Sequence, residues 1–189
     1  MQIRVAEKSD VTAIANLHAA SWRFAYRGAL SDEYLAGDIV SDRAAIWSQR
    51  LTAKNQNQYV LVAEENSHLI GFACAFAHFD QQWGTLLDNI HVSQSHHRSG
   101  IGTSLMRQIA RWHQAQSSSK PMFLWVLQSN GTAQRFYEAL GAETVGTDVW
   151  VPPGGGAIPR FRYAWRNVGA LINNEANHTF KRDALKRAP

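Results

Sequence analysis

Leu87-Asp88-Asn89-Ile90-His91-Val92, then the polar stretch Ser93 to Ser99, then Gly100-Ile101-Gly102-Thr103 decide how this chain is read. The order is strand, polar loop, Gly-x-Gly, helix. It aims unpaired backbone N–H groups and the positive end of a helix at one point, an arrangement that receives anions. Glycines let phosphate oxygens approach the backbone, and Arg98 beside them adds a charge. Two other phosphate loops fail on inspection. A P-loop needs Gly-Lys-Ser/Thr, which is absent, and the dinucleotide fingerprint needs a third glycine near Leu105. Gly-x-Gly at a helix start also serves close packing, so the glycines alone leave both roles open.

Downstream, Ile101, Leu105, Ile109 and Trp112 fall on one side of an amphipathic helix that Ser117-Ser118-Ser119 ends. Pro121 to Leu127 is a near-continuous apolar strand, which predicts burial on both faces and a central place in a sheet. Ser129-Asn130-Gly131 opens a helix carrying Ala133, Phe136, Tyr137 and Leu140, with Gly141 as its left-handed stop. Ala142 to Val151 reads as a strand, Pro152 to Pro159 as a loop, and Arg160 to Arg166 as a last strand.

Upstream, Gln2 to Val5 is a short strand, and Ser9-Asp10 caps a helix to about Tyr26 with Val11, Ile14, Ala15, His18, Trp22 and Ala25 on one face. Ser31 to Leu35 is a turn of helix, and Ser41-Asp42 caps a second long helix through about Ala53. Gln58 to Glu64 and Leu69 to Phe79 form a hairpin across Glu65 to His68, and Trp83 to Val92 follows as a strand. The expected architecture is α/β: a mixed central sheet of about six to seven strands with helices on both faces, over residues 1–166. A basic C-terminal tail, 167–189, is expected to be weakly ordered.

The chain has 189 residues, 45% hydrophobic and 18% charged, which suits one domain and excludes a disordered or fibrous protein. The longest apolar run, Leu69 to Ala77, is about half of what a membrane span needs. The N-terminus lacks the basic-then-apolar order of a secretion signal, so a cytoplasmic protein is expected. Cys74 is the lone cysteine, which excludes an internal disulfide and a Cys-rich zinc site. Residues 160–189 hold seven of the 19 Lys and Arg, leaving 12 basic against 13 acidic residues before them. Basicity thus belongs to the end of the chain, and nucleic acid is not an expected partner.

With its loop and flanking elements in place, the sequence resembles the GNAT superfamily of acyl-CoA-dependent N-acetyltransferases. The family signature, Gln/Arg-x-x-Gly-x-Gly/Ala after the fourth strand, corresponds to His97-Arg98-Ser99-Gly100-Ile101-Gly102, with His97 a departure at the first position. Leu124 to Gly141, with Asn130 and Phe136-Tyr137-Glu138, resembles the family's second motif. The resemblance implies fourth and fifth strands splayed around the pantetheine arm of acetyl-CoA, and no metal. Ile90, His91 and Val92 at the strand end, His97 to Thr103 in the loop, and Asn130, Ala133, Phe136 and Tyr137 on the later helix would border that co-substrate. Backbone N–H groups of Val92 and of Arg98 to Thr103 would hold the pantetheine and pyrophosphate.

Acyl transfer from a thioester to an amine needs an unprotonated amine, a place for the oxyanion and a proton for the departing thiolate. Tyr137 is the candidate donor of that proton, against a packing role like that of Phe136. Many family members carry a Glu in the fourth strand where Leu86 stands here, so Asp88, His91 or a chain of waters is the candidate base. In a regular strand Asp88 shares a face with Leu86, while Asn89 and His91 take the other; a bulge would change that parity. Trp22 and Tyr26 resemble positions lining the acceptor site, and Asn89 joins them as a substrate-binding candidate. Asp32, Glu33, Asp38 and Asp42 either start helices or form a cation-attracting rim. The acceptor is expected to be a small-molecule amine or a peptide N-terminus, and a homodimer is possible within the family. The alternative is a non-catalytic acyl-CoA-binding sensor or scaffold.

Overall fold

The computed structural model describes residues 1–53, 55–116, 119–152 and 156–173. At its centre lies β5, Met122–Leu127, in which every residue but Trp125 is buried, as a continuous apolar strand requires. Before it run β1 (Gln2–Val5), α1 (Val11–Ala25), α2 (Asp32–Ala36), α3 (Ile39–Thr52), β2 (Gln58–Glu65), β3 (His68–Asp80), β4 (Gly84–Val92) and α4 (Ile101–Ala115). After it come α5 (Gly131–Ala139), β6 (Glu143–Trp150), β7 (Ile158–Trp165) and α6 (Gly169–Asn173). The strands form one mixed sheet in the order β1-β2-β3-β4-β5-β7-β6. Only β4 and β5 run parallel, joined by the crossover through α4.

Alternation along the strands splits the core in two. One face packs on α4, whose Leu105, Met106 and Ile109 are fully buried with Ala73, Met122 and Leu124. The other face packs Val62, Phe72 and Cys74 against Ile14, Ala15 and Trp47 of α1 and α3. Each of the larger side chains among them contributes on the order of 2 kcal/mol through burial. The β2–β3 hairpin turns through Asn66 and Ser67, both at positive φ, a two-residue turn that matches strand twist.

Two irregularities shape the site. β4 and β5 pair only at Thr85–Met122 and Leu86–Phe123, after which they diverge. Just beyond, β4 bulges: Ala75 faces Leu87 and Cys74 faces Asn89, so Asp88 is an extra residue in the ladder. Parity therefore flips. Leu87, Ile90 and Val92 pack on the α4 side, whereas Leu86, Asn89 and His91 look toward α1 and α3.

Some boundaries differ from expectation. Asp10 occupies the N-cap position of α1, but its carboxylate turns back to Arg4 at 2.7 and 2.9 Å and to the Glu7 N–H. α3 starts at Ile39, because Asp38 accepts from the Ser41 N–H at 3.1 Å and so takes the cap expected of Ser41-Asp42. Ala25 is exposed. β7 begins at Ile158, since the Pro159 carbonyl still accepts a hydrogen bond, from Gln128 N–H at 3.0 Å. α4 ends at Ala115, and Ser117 and Ser118 lie outside the described residues. The segment from 167 is not all tail: Val168 and Leu171 of the α6 region are buried in the α4 core. Residues 174–189 lie outside the described residues.

Candidate active site

The loop after β4 passes through a 3-10 turn at Gln94–His96 and then two left-handed residues, Arg98 at φ +63° and Gly100 at φ +84°. Gly100 is the N-cap of α4, and no side chain caps that first turn. The N–H groups at the start of α4 are left for an outside acceptor, where the helix end favours an anion. The two glycines divide the roles left open by the sequence. A Cβ on Gly100 would meet nothing within 4 Å, so space lies above it, whereas one on Gly102 would lie 3.2 Å from Phe136 Cζ. Gly100 thus keeps the cradle open, and Gly102 lets α4 and α5 approach. His97, at the departing position, donates from Nε2 to the Val92 carbonyl at 3.1 Å and ties the loop to the strand.

Where β4 and β5 part, a cleft of about 510 Å³ opens from the α1 and α3 side through the gap. It reaches Tyr137 of α5, which is otherwise packed edge-on against Phe136 and Trp165. Burial, then the neighbouring Tyr26, pushes the Tyr137 hydroxyl above its usual range, so it stays protonated at neutral pH. Burial likewise pushes Tyr26 up to about 12, with Asp88 adding to it. Asn130 lies outside the cleft lining; its Oδ1 accepts from the Ala133 N–H at 3.1 Å and caps α5.

The bulge brings Asp88, Asn89 and His91 into the same cleft, in place of the division expected for a regular strand. Asp88 pairs with Arg50 of α3 at 2.7 Å and also accepts from the Asn89 side-chain amide. His91 packs between His18 and Phe72, at centroid distances of 4.8 and 5.1 Å. Burial holds its imidazole down at about 4, so it stays neutral at pH 7. Beneath it, the buried Trp47 Nε1–H donates to His18 Nδ1 at 3.0 Å, which places the His18 proton on Nε2. Leu86, at the position where the family resemblance implies a Glu, lines the cleft.

One end of the cleft is aromatic. Trp22 and Tyr26 meet at a tilt, 5.2 Å apart, and Trp150 at the end of β6 stands edge-on to both at 6.0 and 6.1 Å. Sequence reading missed Trp150, and it missed Arg43, Arg50 and Arg160, which also line the cleft. No local pattern marks them, because they converge from three separate elements. The acidic stretch near α2 is structural in part: Asp38 caps, and Asp42 accepts from Tyr34 at 2.9 Å and pairs with Arg43 at 2.6 Å.

Parted parallel strands, an uncapped helix start at their mouth and a deep protonated tyrosine define an acyltransferase of the kind that works on an acyl-CoA. The chain belongs to the acetyltransferase (GNAT) family, whose model matches residues 12–142. It is similar to probable N-acetyltransferase Rv2775 of Mycobacterium tuberculosis, 29% identical over 170 residues, covering 86% of this chain and 92% of that protein. In fold it is similar to the PaiA N-acetyltransferase of Thermoplasma acidophilum in complex with coenzyme A, at TM-score 0.72 and 19% identity, covering 87% and 98% of the two chains. It is also similar to YncA of Salmonella typhimurium with acetyl-CoA, at TM-score 0.62 and 20% identity, covering 87% and 92%. Among the described residues no helix is long and apolar enough to cross a membrane, and no three or more His, Cys, Asp or Glu gather as metal ligands.

Proposed function

We propose that the protein transfers the acetyl group of acetyl-CoA to a primary amine by direct attack, with both substrates bound at once. The observation that carries this reading is the meeting, in one gap, of the uncapped Gly100 helix start, the diverging β4 and β5, and the Tyr137 hydroxyl. Arg98 and the backbone N–H groups from Gly100 to Thr103 fit a pyrophosphate, and the β4 edge beyond Leu86, unpaired with β5, fits the amide-bearing pantetheine arm. Bound there, acetyl-CoA supplies the activated thioester carbonyl. Direct attack is supported by the position of Cys74, which lies in the β2–β3 core outside the cleft lining, its thiol pushed up by burial.

Trp22, Tyr26 and Asn89 receive the acceptor. His91 offers its neutral lone pair to the amine N–H and sets the angle of approach. An imidazole held near 4 is a far weaker base than an aliphatic amine, so the acceptor enters unprotonated. His91, Asp88 or bound water then takes only the proton made acidic as the C–N bond forms. Tyr137 donates to the departing sulfur.

Replacing Tyr137 with Phe tests this. Amine-dependent release of CoA should fall by about 10² to 10⁴, while acetyl-CoA affinity stays near wild type because the ring is kept. With a donor whose thiol is more acidic, the defect should shrink. A loss independent of the leaving group makes Tyr137 a packing residue. Acetyl-CoA binding without any amine-dependent CoA release identifies a sensor instead.

A further inference from the structure

The charge at the acceptor end exceeds what acetyl transfer requires, and its sign is biased. Arg43, Arg50 and Arg160 line the cleft, with Asp88 as its one carboxylate among the described residues. Arg43 is only 6% exposed, a cation taken out of water, which is tolerated only with partners. Its Nε and Nη2 both donate to one oxygen of Asp42, at 3.2 and 2.6 Å, and its guanidinium lies 4.3 Å over the Trp22 ring. Asp42 itself stands outside the cleft lining. Tyr34 also hydrogen-bonds to Arg43, and a guanidinium with five N–H donors that lines the cleft suits a second carboxylate there.

Arg160 repeats the arrangement from β7. Its Nε and Nη2 hold Asp148 at 3.1 and 2.6 Å, outside the cleft lining, and its guanidinium sits 4.2 Å over Trp125. Arg50 spends one nitrogen on Asp88. Arg43 and Arg50 also act on the buried His18, where they add to burial in keeping it neutral. A polyamine placed here would set further cations against these guanidiniums.

We propose that the acceptor is a small amine that also carries a carboxylate: an amino-acid-like molecule with an apolar or aromatic body. Its carboxylate engages the Arg43 guanidinium where that group lines the cleft, its body lies among Trp22, Tyr26 and Trp150, and its amine points to His91. The proposal rests on the acetyltransferase reading above. A cleft of about 510 Å³ that also takes the acetyl end of the donor leaves room for a molecule of this size.

The test measures CoA release by the full chain at saturating acetyl-CoA with apolar and aromatic amino acids, each against its own carboxamide, its decarboxylated amine, and spermidine. At least one acid should exceed its amide in kcat/KM by about 10- to 100-fold, the range of a charge-assisted hydrogen bond. The amide's amine is the less basic of the two, so it has more neutral form available and the comparison is conservative. Arg43→Gln should abolish the preference, and Arg43→Lys should keep part of it. Arg160→Gln, at a less buried site, should lower it without threatening the fold. Turnover of amines with amides equal to acids overturns this inference and leaves the acetyltransferase standing. If no amine is turned over, calorimetry of N-acetyl amino acids in the presence of CoA decides. Binding lost in Arg43→Gln supports the carboxylate site, and absence of binding overturns it.

Discussion

Replacing His91 with Gln should flatten the acid side of the stability profile, by an amount that follows from where the ring sits. Packed between His18 and Phe72, His91 has a folded-state value of about 4, against about 6.5 when unfolded. Between those values the unfolded chain binds a proton that the folded protein refuses. The neutral burial therefore contributes fully above pH 6.5 and is lost as pH falls toward 4. Integration gives about 2 kcal/mol lost by pH 5 and about 3 kcal/mol below pH 4. Gln keeps an acceptor and similar length but does not titrate. His18, also held neutral by burial, is present in both proteins, so its share cancels to first order in the difference. Urea unfolding of wild type and variant at intervals from pH 8 to 5 measures it. The difference, wild type minus variant, should drop by about 2 kcal/mol across that range. A flat difference would refute the assigned environment of His91, and with it the neutral lone pair assigned to the amine. A wild-type turnover that halves near pH 6.5 and loses that limb in the variant would do the same.

The two loop glycines should respond differently. Gly100→Val should cost about 1–2 kcal/mol of stability from its left-handed backbone, and calorimetry should show acetyl-CoA affinity reduced by about tenfold or more as the side chain fills the open space. Gly102→Ala should cost about 1 kcal/mol through its approach to Phe136 and change acetyl-CoA affinity much less. Leu171→Ala, which empties the α6 contact with the α4 core, should lower urea stability by about 2–4 kcal/mol. A loss below about 0.5 kcal/mol would make α6 a surface appendage.

What was legible in the sequence follows a physical division. The stretch from Leu87 to Thr103 announces its role because backbone geometry does the work there, and glycine and apolar alternation report backbone directly. β5 was equally plain, since burial on both faces leaves no polar residue to disguise it. The bulge at Asp88 has no composition of its own, and one extra residue inverted the sidedness of Asn89 and His91. Arg43, Trp150 and Arg160 were hidden for another reason: they matter only together, and they are more than 100 residues apart along the chain at the extremes. Around α6 a single turn with Val168, Leu171 and Ile172 among Asn, Gly and Ala carries too little periodicity to separate it from a tail.

The extra residue in β4 also makes this protein's chemistry sensitive to the length of a single strand. Losing the codon for Asp88 would restore a regular ladder in which Leu87 still faces Ala75 and Asn89 still faces Cys74, so every other side chain keeps its side of the sheet. The change would be silent to the core. It would remove a carboxylate from the cleft, release Arg50, and straighten the strand at the place where it now leaves β5. Edge groups now free to meet a pantetheine could then bond to β5 instead. One three-base deletion would thus leave a well-folded sheet with its slot zipped shut.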